Sequence, residues 1–318
     1  MQKRYTYPFI CILVVFILSA CVRDKSESCQ FHLRFKYDYN MDYVDKFLQQ
    51  AKRLHLYIFD ENENFVREIK LIGDELRSNQ IDLKLPTHLN KKVYSFIAWV
   101  GVDDHHIIAT RPLVGKTQLH ELEVALNYNI RLGVPLEPLM VGGVRSALIP
   151  GKVAQIDLVK NTNTFRVAVR TLPNQSGEEK DLRSAGKFNL FIESNNTRYN
   201  RSNEIISDEL MAYYPYFLEE DDKGFIAELN TLRLVEERHN YLVIERRESH
   251  EELMRIDLNH YLEDLRFLAH ANMPTQEFLD REDEYAILIF VSDFEEFTKL
   301  TIEINGWLIR DQDHEVIN

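Results

Sequence analysis

Short runs in which apolar and polar residues alternate recur along most of this chain, and they constrain its fold more than any other feature. In the first run, Phe31, Leu33 and Phe35 alternate with polar residues. This period of two is typical of a half-buried β-strand, because successive side chains point to opposite faces of a sheet. Many such strands separated by turn signals indicate β-sandwiches rather than α/β units. The sequence therefore predicts a mainly β protein.

Two sequence features predict turns or bulges within or between these strands. Residues 60–64 (DENEN) lie between two alternating runs and predict a hairpin turn. Residues 141–145 (VGGVR) contain a glycine pair, which predicts a bulge or turn. Residues 231–237 (TLRLVEE) predict a further strand.

A few short helices are also expected. Tyr43, Phe47 and Ala51 have helical spacing, and so do the leucines of residues 259–270. Both segments are short, so the helices accompany a β fold rather than define it.

The length of the chain, 318 residues, suggests about two domains. Near residues 159–165 one alternating run ends and the next begins. We therefore predict an N-terminal β-sandwich over residues 30–160 and a C-terminal β-sandwich over residues 161–318.

The N-terminal segment has the organisation of a secretory signal. Lys3 and Arg4 precede an apolar run over residues 9–18. This run is shorter than the roughly 20 apolar residues that a membrane-spanning helix needs. A signal peptide is therefore expected rather than a transmembrane helix.

The end of this segment, Leu18-Ser19-Ala20-Cys21, resembles the lipobox of bacterial lipoproteins. The resemblance implies cleavage between Ala20 and Cys21, with residues 1–20 as the signal peptide. It also implies that Cys21 carries a thioether-linked diacylglycerol and that residues 21–29 form a lipidated tether. Two or three acyl chains suffice for stable membrane anchoring.

Composition excludes several classes of function. The formal net charge of −13 disfavours nucleic acid as a partner. The cysteines are Cys11, Cys21 and Cys29, so modification of Cys21 would leave the mature chain no intramolecular disulfide. Residues 103–106 (DDHH) are the one histidine cluster, and they predict a solvated loop rather than a metal site. Because no catalytic motif is present either, we expect no enzymatic activity, no cofactor and no metal.

Several segments distributed over nearly the whole mature chain carry a further resemblance: residues 54–66, 94–101, 139–144, 156–169, 188–203, 213–217, 232–244, 273–291 and 302–310. Together they resemble the FimB/Mfa family of fimbrial anchor lipoproteins, the base subunits of type V pili, and they follow the family's order. One departure lies in residues 139–144, where an aromatic residue is expected after the leucine.

The resemblance implies two tandem transthyretin-like β-sandwich domains with a few short helices. It implies a structural role at the base of a fimbria on the cell surface. The partners would be the fimbrial shaft subunits and, through acylated Cys21, the lipid of the outer membrane.

Shaft subunits of such pili resemble proteins assembled by strand exchange, in which an N-terminal strand is removed and a neighbour's segment replaces it. An anchor held by its own N-terminus must keep that strand, which here contains Phe31, Leu33 and Phe35. The chain would then donate a strand rather than accept one. The candidate donor is the C-terminal segment with Trp307, Leu308, Ile309 and Arg310, and the alternative is that this segment is simply the last hairpin of the second domain.

Other functions stay open at this stage. A tip or stalk subunit of the same superfamily would share the fold. A surface lipoprotein that binds glycans or proteins could use the aromatic segment 212–217 (AYYPYF), although packing of this segment is the favoured interpretation. An envelope hydrolase would need a pocket with perturbed titratable groups.

Overall fold

The computed structural model describes residues 30–84, 92–127, 134–171, 188–221, 224–291 and 300–312. Strands predominate in this part of the chain, which confirms the prediction of a mainly β fold. The helices are α1 (Phe47–Gln50), α2 (Leu258–Ala269) and α3 (Thr275–Arg281), and there are 3-10 turns at Gly73–Glu75 and Leu119–Glu121. The strands are β1 (Gln30–Lys36), β2 (Arg53–Phe59), β3 (Phe65–Ile72), β4 (Gln80–Lys84), β5 (Val93–Val100), β6 (Ile107–Ala109), β7 (Glu123–Leu126), β8 (Met140–Ala147), β9 (Val153–Asp157), β10 (Val159–Lys160), β11 (Thr162–Thr171), β12 (Phe188–Ser194), β13 (Arg198–Asn200), β14 (Met211–Tyr213), β15 (Phe217–Asp221), β16 (Gly224–Leu232), β17 (Asn240–Arg246), β18 (Glu252–Asp257), β19 (Glu284–Val291), β20 (Leu300–Ile304) and β21 (Trp307–Gln312).

Two sheets in the first half of the chain face each other as a sandwich. Their strand orders are β4–β1–β9 and β10–β8–β5–β2–β3. The first core lies between them, and β1 supplies buried Phe31, Leu33 and Phe35 to it. Phe31 stacks on Phe96 of β5 and Phe35 on Phe47 of α1, each pair with ring centroids 5.5 Å apart.

Two further sheets form the second half, with orders β15–β16–β11–β19–β20–β21 and β14–β12–β17–β18. Their core continues across the outer face of β2 and β5, where Tyr57 packs edge-on against Trp99 at 5.2 Å. The small sheet β13–β7–β6 also joins the halves, because β13 follows residue 161 and β7 precedes it. The two sandwiches therefore share apolar contacts as well as a strand pairing.

The chain passes from one sandwich to the other between β10 and β11. β10 pairs with β8 of the first sandwich, and β11 starts two residues later in the second. Lys160 and Thr162 thus belong to different sheets, with only Asn161 between them.

The predicted hairpin at residues 60–64 is confirmed. β2 and β3 pair as antiparallel neighbours on either side of it. The Asp60 carboxylate accepts the backbone N–H groups of Asn62 and Asn64, both at 2.9 Å, which closes the turn.

Both expected helices are present. α1 buries Phe47, and α2 buries Leu258, Tyr261, Leu262 and Leu265 along one face. The carboxylate of Asp257 caps α2 by accepting the N–H groups of its first turn. The sequence patterns did not predict helix α3.

The bulge or turn predicted for residues 141–145 is wrong. These residues lie inside β8, where Gly142 and Gly143 pair regularly with Ala98 and Ile97 of β5. A Cβ on Gly142 would stand 2.3 Å from the carbonyl oxygen of Asp157, so this glycine permits close packing of two backbones.

The strand predicted at residues 231–237 is mostly wrong, because β16 ends at Leu232. β16 itself was missed. Its sequence lacks the strict alternation of β1, and both its faces are largely buried.

Candidate functional site

Strand β1 contains the predicted N-terminal strand residues, and it has a neighbour on each side. It pairs antiparallel with β4 and parallel with β9. Phe31, Leu33 and Phe35 are each 0% exposed. Because both edges carry ladder hydrogen bonds and one face lies in the core, β1 is an integral part of the first sandwich.

The outer face of β1 is polar and carries an ionic contact with β4. His32 Nδ1 lies 2.7 Å from Asp82 Oδ1, and Gln80 Nε2 donates to the same oxygen at 3.1 Å. The hydrogen bond from His32 is the main reason that the pKa of Asp82 is lowered.

The segment that follows β1 is fixed to the second sandwich. Tyr37 donates its hydroxyl to Asp283 Oδ2 at 3.5 Å. Burial raises the pKa of Tyr37, and the nearby Asp283 carboxylate adds to the rise, so this hydroxyl stays a neutral donor. Lys160 forms an ion pair with the same Asp283 carboxylate. The end of β1 is thereby tied to the residue that precedes β19.

Arg281 of α3 makes a second connection to this segment. Its guanidinium lies 4.1 Å from the ring centre of Tyr39 and 4.6 Å from that of Tyr43. It also donates to the carbonyl of Asn40 at 3.4 Å. Cation–π contacts of this kind contribute about 0.5–2 kcal/mol each.

Strand β21 contains the predicted donor residues, and it lies at the edge of the six-stranded sheet. It pairs antiparallel with β20, with an irregularity in register after Ile302. Trp307 is 46% exposed and Leu308 is 56% exposed. Ile309 packs against the second core, while the backbone of Arg310 lies opposite Ile302. The C-terminal segment is therefore a hairpin strand with one neighbour among the described residues.

The junction between the sandwiches contains polar contacts that sequence reasoning missed. Arg233 binds Asp280 through Nε–Oδ1 at 2.6 Å and Nη2–Oδ2 at 2.8 Å, and both side chains are largely buried. The amides of Asn161 and Asn203 bond to each other. The asparagines of the connecting segment were the one available signal, since short polar side chains there need buried partners.

The remaining predicted residues fall into two groups. Ala20 and Cys21 lie outside the described residues. In the aromatic segment 212–217, Tyr213 is buried with its hydroxyl on Asn196 at 2.7 Å and Tyr214 lies against Phe191, whereas Phe217 is 42% exposed.

In the part of the chain that the structure describes, no cluster of histidine, cysteine and acidic side chains is suited to hold a metal ion. None of the helices described is both long and apolar enough to cross a bilayer. The predicted loop at residues 103–106 is ordered by Asp103, whose carboxylate accepts the N–H groups of His105, His106 and Ile107.

Comparison with known proteins defines the class. The model of the family of fimbrillin-A associated anchor proteins Mfa1 and Mfa2 matches residues 25–313. The chain therefore belongs to this fimbrial anchor family, as its sequence segments had suggested.

Solved structures extend the likeness to the whole fold. A proposed polysaccharide-binding protein of Bacteroides thetaiotaomicron is 26% identical, with a TM-score of 0.75 over 91% of this chain and 99% of that one. A proposed adhesin of the same species is 28% identical, with a TM-score of 0.75 over 90% and 99%. The fimbrial anchor protein Mfa2 of Porphyromonas gingivalis shares the fold at 17% identity, with a TM-score of 0.66 over 89% and 99%. A search of the curated proteins finds no match.

Proposed function

We propose that this chain anchors a fimbria to the outer membrane, with lipid on Cys21 as the membrane attachment and a structural rather than catalytic role. Membership of the fimbrial anchor family supports a fimbrial role. The observation that carries the proposal is the position of β1, which is buried and paired on both sides. A tether that leads directly into such a strand is joined to the folded protein at its core.

The tether would have enough length for this role. Residues 21–29 precede Gln30, the first residue of β1. At about 3.3 Å per residue the extended tether spans roughly 30 Å. The folded part could therefore stand clear of the bilayer surface, as the base of a fimbria on the cell surface would require.

The joint to the shaft would use β21. Its outer edge has no strand neighbour among the described residues, and Trp307 and Leu308 are exposed beside it. A strand of a shaft subunit could add to this edge, or β21 could leave β20 and add to the subunit. In either case backbone hydrogen bonds would provide strength and alternating side chains would provide register.

Replacement of the lipidated residue tests the membrane attachment. Cys21→Ala should release fimbriae together with this protein into the medium, because no lipid can be attached without the cysteine sulfur. The measurement is the fraction of fimbriae in culture supernatant against cells. Cys29→Ala is the matched control and should leave fimbriae on the cells. Retention by the Cys21→Ala strain would contradict the role of the lipid.

Removal of the last strand tests the joint. Deletion of residues 307–318 should leave a folded lipoprotein that no longer retains fimbriae. Immunoblots of membrane fractions verify that the truncated protein is present, and fimbriae on cells are counted by electron microscopy. Normal retention would show that β21 is not needed.

The nearest alternative is a tip or stalk subunit. The mature N-terminus of a tip or stalk subunit would follow a protease cut downstream of the tether, whereas that of an anchor would be Cys21. N-terminal analysis of protein from cells distinguishes them, since the anchor must begin at acylated Cys21.

Saccharide binding is a second candidate, favoured by a shallow pocket of about 440 Å³ at the α2–α3 connection. Tyr43, 60% exposed, lines it beside His270, Asn272 and Glu277. An aromatic ring can stack on the C–H face of a sugar while amide and carboxylate groups bind hydroxyls. Oligosaccharide arrays test this: Tyr43→Phe should keep binding and Tyr43→Ala should lose it. Absence of binding by the unaltered chain would exclude it.

A further inference from the structure

Strand β1 begins at one end of the first sandwich, and the second sandwich lies at the other end. Gln30, the first residue of β1, pairs with Lys84, the last residue of β4. Just after β1, Tyr37 already contacts Asp283 of the second half of the chain. The chain ahead of Gln30 therefore enters the fold at the end that is turned away from the second sandwich.

A turn between β8 and β9 lies beside this entry point. The carbonyl of Ile149 accepts the N–H of Lys152 at 3.0 Å, and Gly151 has a φ of +75°. A positive φ at the third of four residues is typical of a type II turn, which favours glycine there. The N–H of Gly151 donates to the carbonyl of Gln30 at 2.7 Å, so the turn is fixed to the first residue of β1. Ile149 is 44% exposed, and Val153 at the start of β9 is 46% exposed.

The start of β3 lies at the same end of the sandwich. The hairpin at residues 60–64 precedes β3, and Glu61 Oε1 of this hairpin is 3.6 Å from the Nζ of Lys92, which precedes β5. The carbonyl of Lys92 accepts the N–H of Leu148, directly ahead of the first turn. The hairpin, the start of β5 and the turn at residues 149–152 therefore form a continuous surface.

A second turn of the same kind is attached to β3. The carbonyl of Leu113 accepts the N–H of Lys116 at 3.0 Å, and Gly115 has a φ of +67°. The N–H of Gly115 donates to the carbonyl of Phe65, the first residue of β3, at 2.9 Å. Leu113 is 61% exposed and Val114 is 70% exposed. Both turns therefore hold aliphatic side chains in solvent, and each turn ends in an exposed lysine.

This surface is close to neutral, although the whole chain carries a net charge of −13. We call it the tether end, and it consists of the turns 113–116 and 149–152, the hairpin 60–64, Gln30, Lys84, Lys92 and Val153. Its charged side chains are the lysines Lys84, Lys92, Lys116 and Lys152 and the carboxylates of Asp60, Glu61 and Glu63. Charge alone therefore selects no partner here, but it does not repel an anionic one.

The partner is selected by proximity. Lipid on Cys21, as proposed above, would be joined to Gln30 through residues 21–29. At about 3.3 Å per residue, the tether keeps this end within roughly 30 Å of the bilayer. A second contact made by a linked molecule is intramolecular, and a short linker gives it an effective concentration in about the millimolar range. Even a contact through a few aliphatic side chains is then populated.

We propose that the tether end docks on the bilayer surface. Leu113, Val114 and Ile149 enter the headgroup region, while Lys116 and Lys152 lay their apolar stems beside them and direct their ammonium groups to lipid phosphates. The choice of a bilayer as partner rests on the proposed anchoring function, whereas the geometry of the turns does not.

Docking of this end gives the protein one orientation at the membrane. The tether alone lets the folded part leave the surface and return to it at any angle. With the tether end against the headgroups, the second sandwich lies on the side away from the bilayer. Strand β21 then stays accessible to a shaft subunit.

Vesicles that hold the protein by a substitute for its lipid test the docking. A hexahistidine tag takes the place of Cys21 in the mature chain with Cys29→Ala, and the vesicles contain phosphatidylethanolamine, phosphatidylglycerol and a nickel-chelating lipid. A nitrobenzoxadiazole dye is attached at Val114→Cys or at Ile149→Cys. Its emission should rise at least about twofold at both positions on attachment to vesicles, because the dye leaves water for apolar surroundings.

The outcomes separate docking from anchoring, because the tag replaces the lipid. No response, or a response at one position alone, would overturn the docking and leave the anchoring function intact. Retention of fimbriae by the Cys21→Ala strain would instead remove the reason for a bilayer partner.

Two controls show whether the response belongs to the tether end. The dye at Leu308→Cys, where the native side chain is 56% exposed on β21, should not respond. Lys116→Glu brings a carboxylate to the lipid phosphates and should reduce the rise at Val114→Cys by about half or more. Lys52→Glu should leave it unchanged, since exposed Lys52 lies at the opposite end, where its carbonyl accepts the N–H of Gly73 after β3. Equal responses at Leu308→Cys and Val114→Cys, or equal effects of the two lysine variants, would refute the proposal.

Discussion

The two terminal strands of this protein look alike in sequence and differ in structure. Both β1 and β21 contain large apolar residues. β1 has a neighbour on each side and buries Phe31, Leu33 and Phe35 completely. β21 has one described neighbour and leaves Trp307 and Leu308 about half exposed. The first strand belongs to the core, whereas the second is available for contact.

The largest expected difference is in hydrogen exchange. Amides of β1 that bond to β4 or β9 should exchange only through global unfolding, which costs 5–15 kcal/mol in typical domains. Bonded amides of β21 should exchange through local opening of the last hairpin, at least about a hundredfold faster. Mass spectrometry of the non-acylated mature chain measures this. Equal protection of the two strands would break the comparison.

Core truncation should give the next largest difference. Phe35→Ala removes a buried ring stacked on Phe47 and should lower the free energy of unfolding by about 3–5 kcal/mol. Leu308→Ala, at an exposed edge position, should change it by less than about 0.5 kcal/mol. Urea unfolding followed by tryptophan fluorescence measures both. A similar loss in the two variants would mean that β21 is packed as firmly as β1.

The connection from the end of β1 to α3 should have an intermediate effect. Arg281→Lys keeps the charge but loses the planar group against Tyr39 and Tyr43, and it should cost about 1 kcal/mol. Arg166→Lys is the control, since Arg166 forms an exposed pair with Glu228. Thermal unfolding distinguishes the two, and equal midpoints would show that the stacking contributes nothing.

The smallest expected effect depends on pH. The folded-state pKa of Asp82 is lowered, mainly by the hydrogen bond from His32. A lowered pKa stabilises the fold above the unfolded value of about 3.9, and this stabilisation disappears as pH falls through the folded-state pKa. Asp82 is half exposed, so the contribution stays below about 1 kcal/mol.

The measurement is the difference in unfolding free energy between the unaltered chain and Asp82→Asn. The difference should shrink as the pH falls from about 5 towards 2, because the Asp82 carboxylate then becomes protonated. A difference that does not vary with pH would contradict the coupling of His32 to Asp82.

The sequence predicts which segments form strands better than it predicts which strands pair with each other. Alternation identified β1, β2 and β5 because each buries apolar side chains in the first core. Alternation carries no information on whether a strand lies in the middle or at the edge of a sheet, so β1 and β21 could not be told apart. The glycine pair of β8 misled for a related reason, because its close neighbour, the Asp157 carbonyl, comes from another sheet.

The junction was beyond sequence reasoning altogether. Arg233 lies in the loop that follows β16, and Asp280 lies in α3. Their contact therefore depends on how the second sandwich folds. Ion pairs between distant segments have no local pattern. The hairpin at Asp60 differs, because the partners of its carboxylate are within four residues and the local sequence predicts the turn.

The placement of β1 between β4 and β9 also determines how the molecule responds to mechanical force. A pull on the chain ahead of Gln30 acts along the strand axis. It shears both ladders at once, so their hydrogen bonds share the stress instead of breaking one after another. The contact of Tyr37 with Asp283 then passes the tension to the second sandwich. In the proposed anchoring role, drag on a fimbria would therefore load both ladders of β1 together.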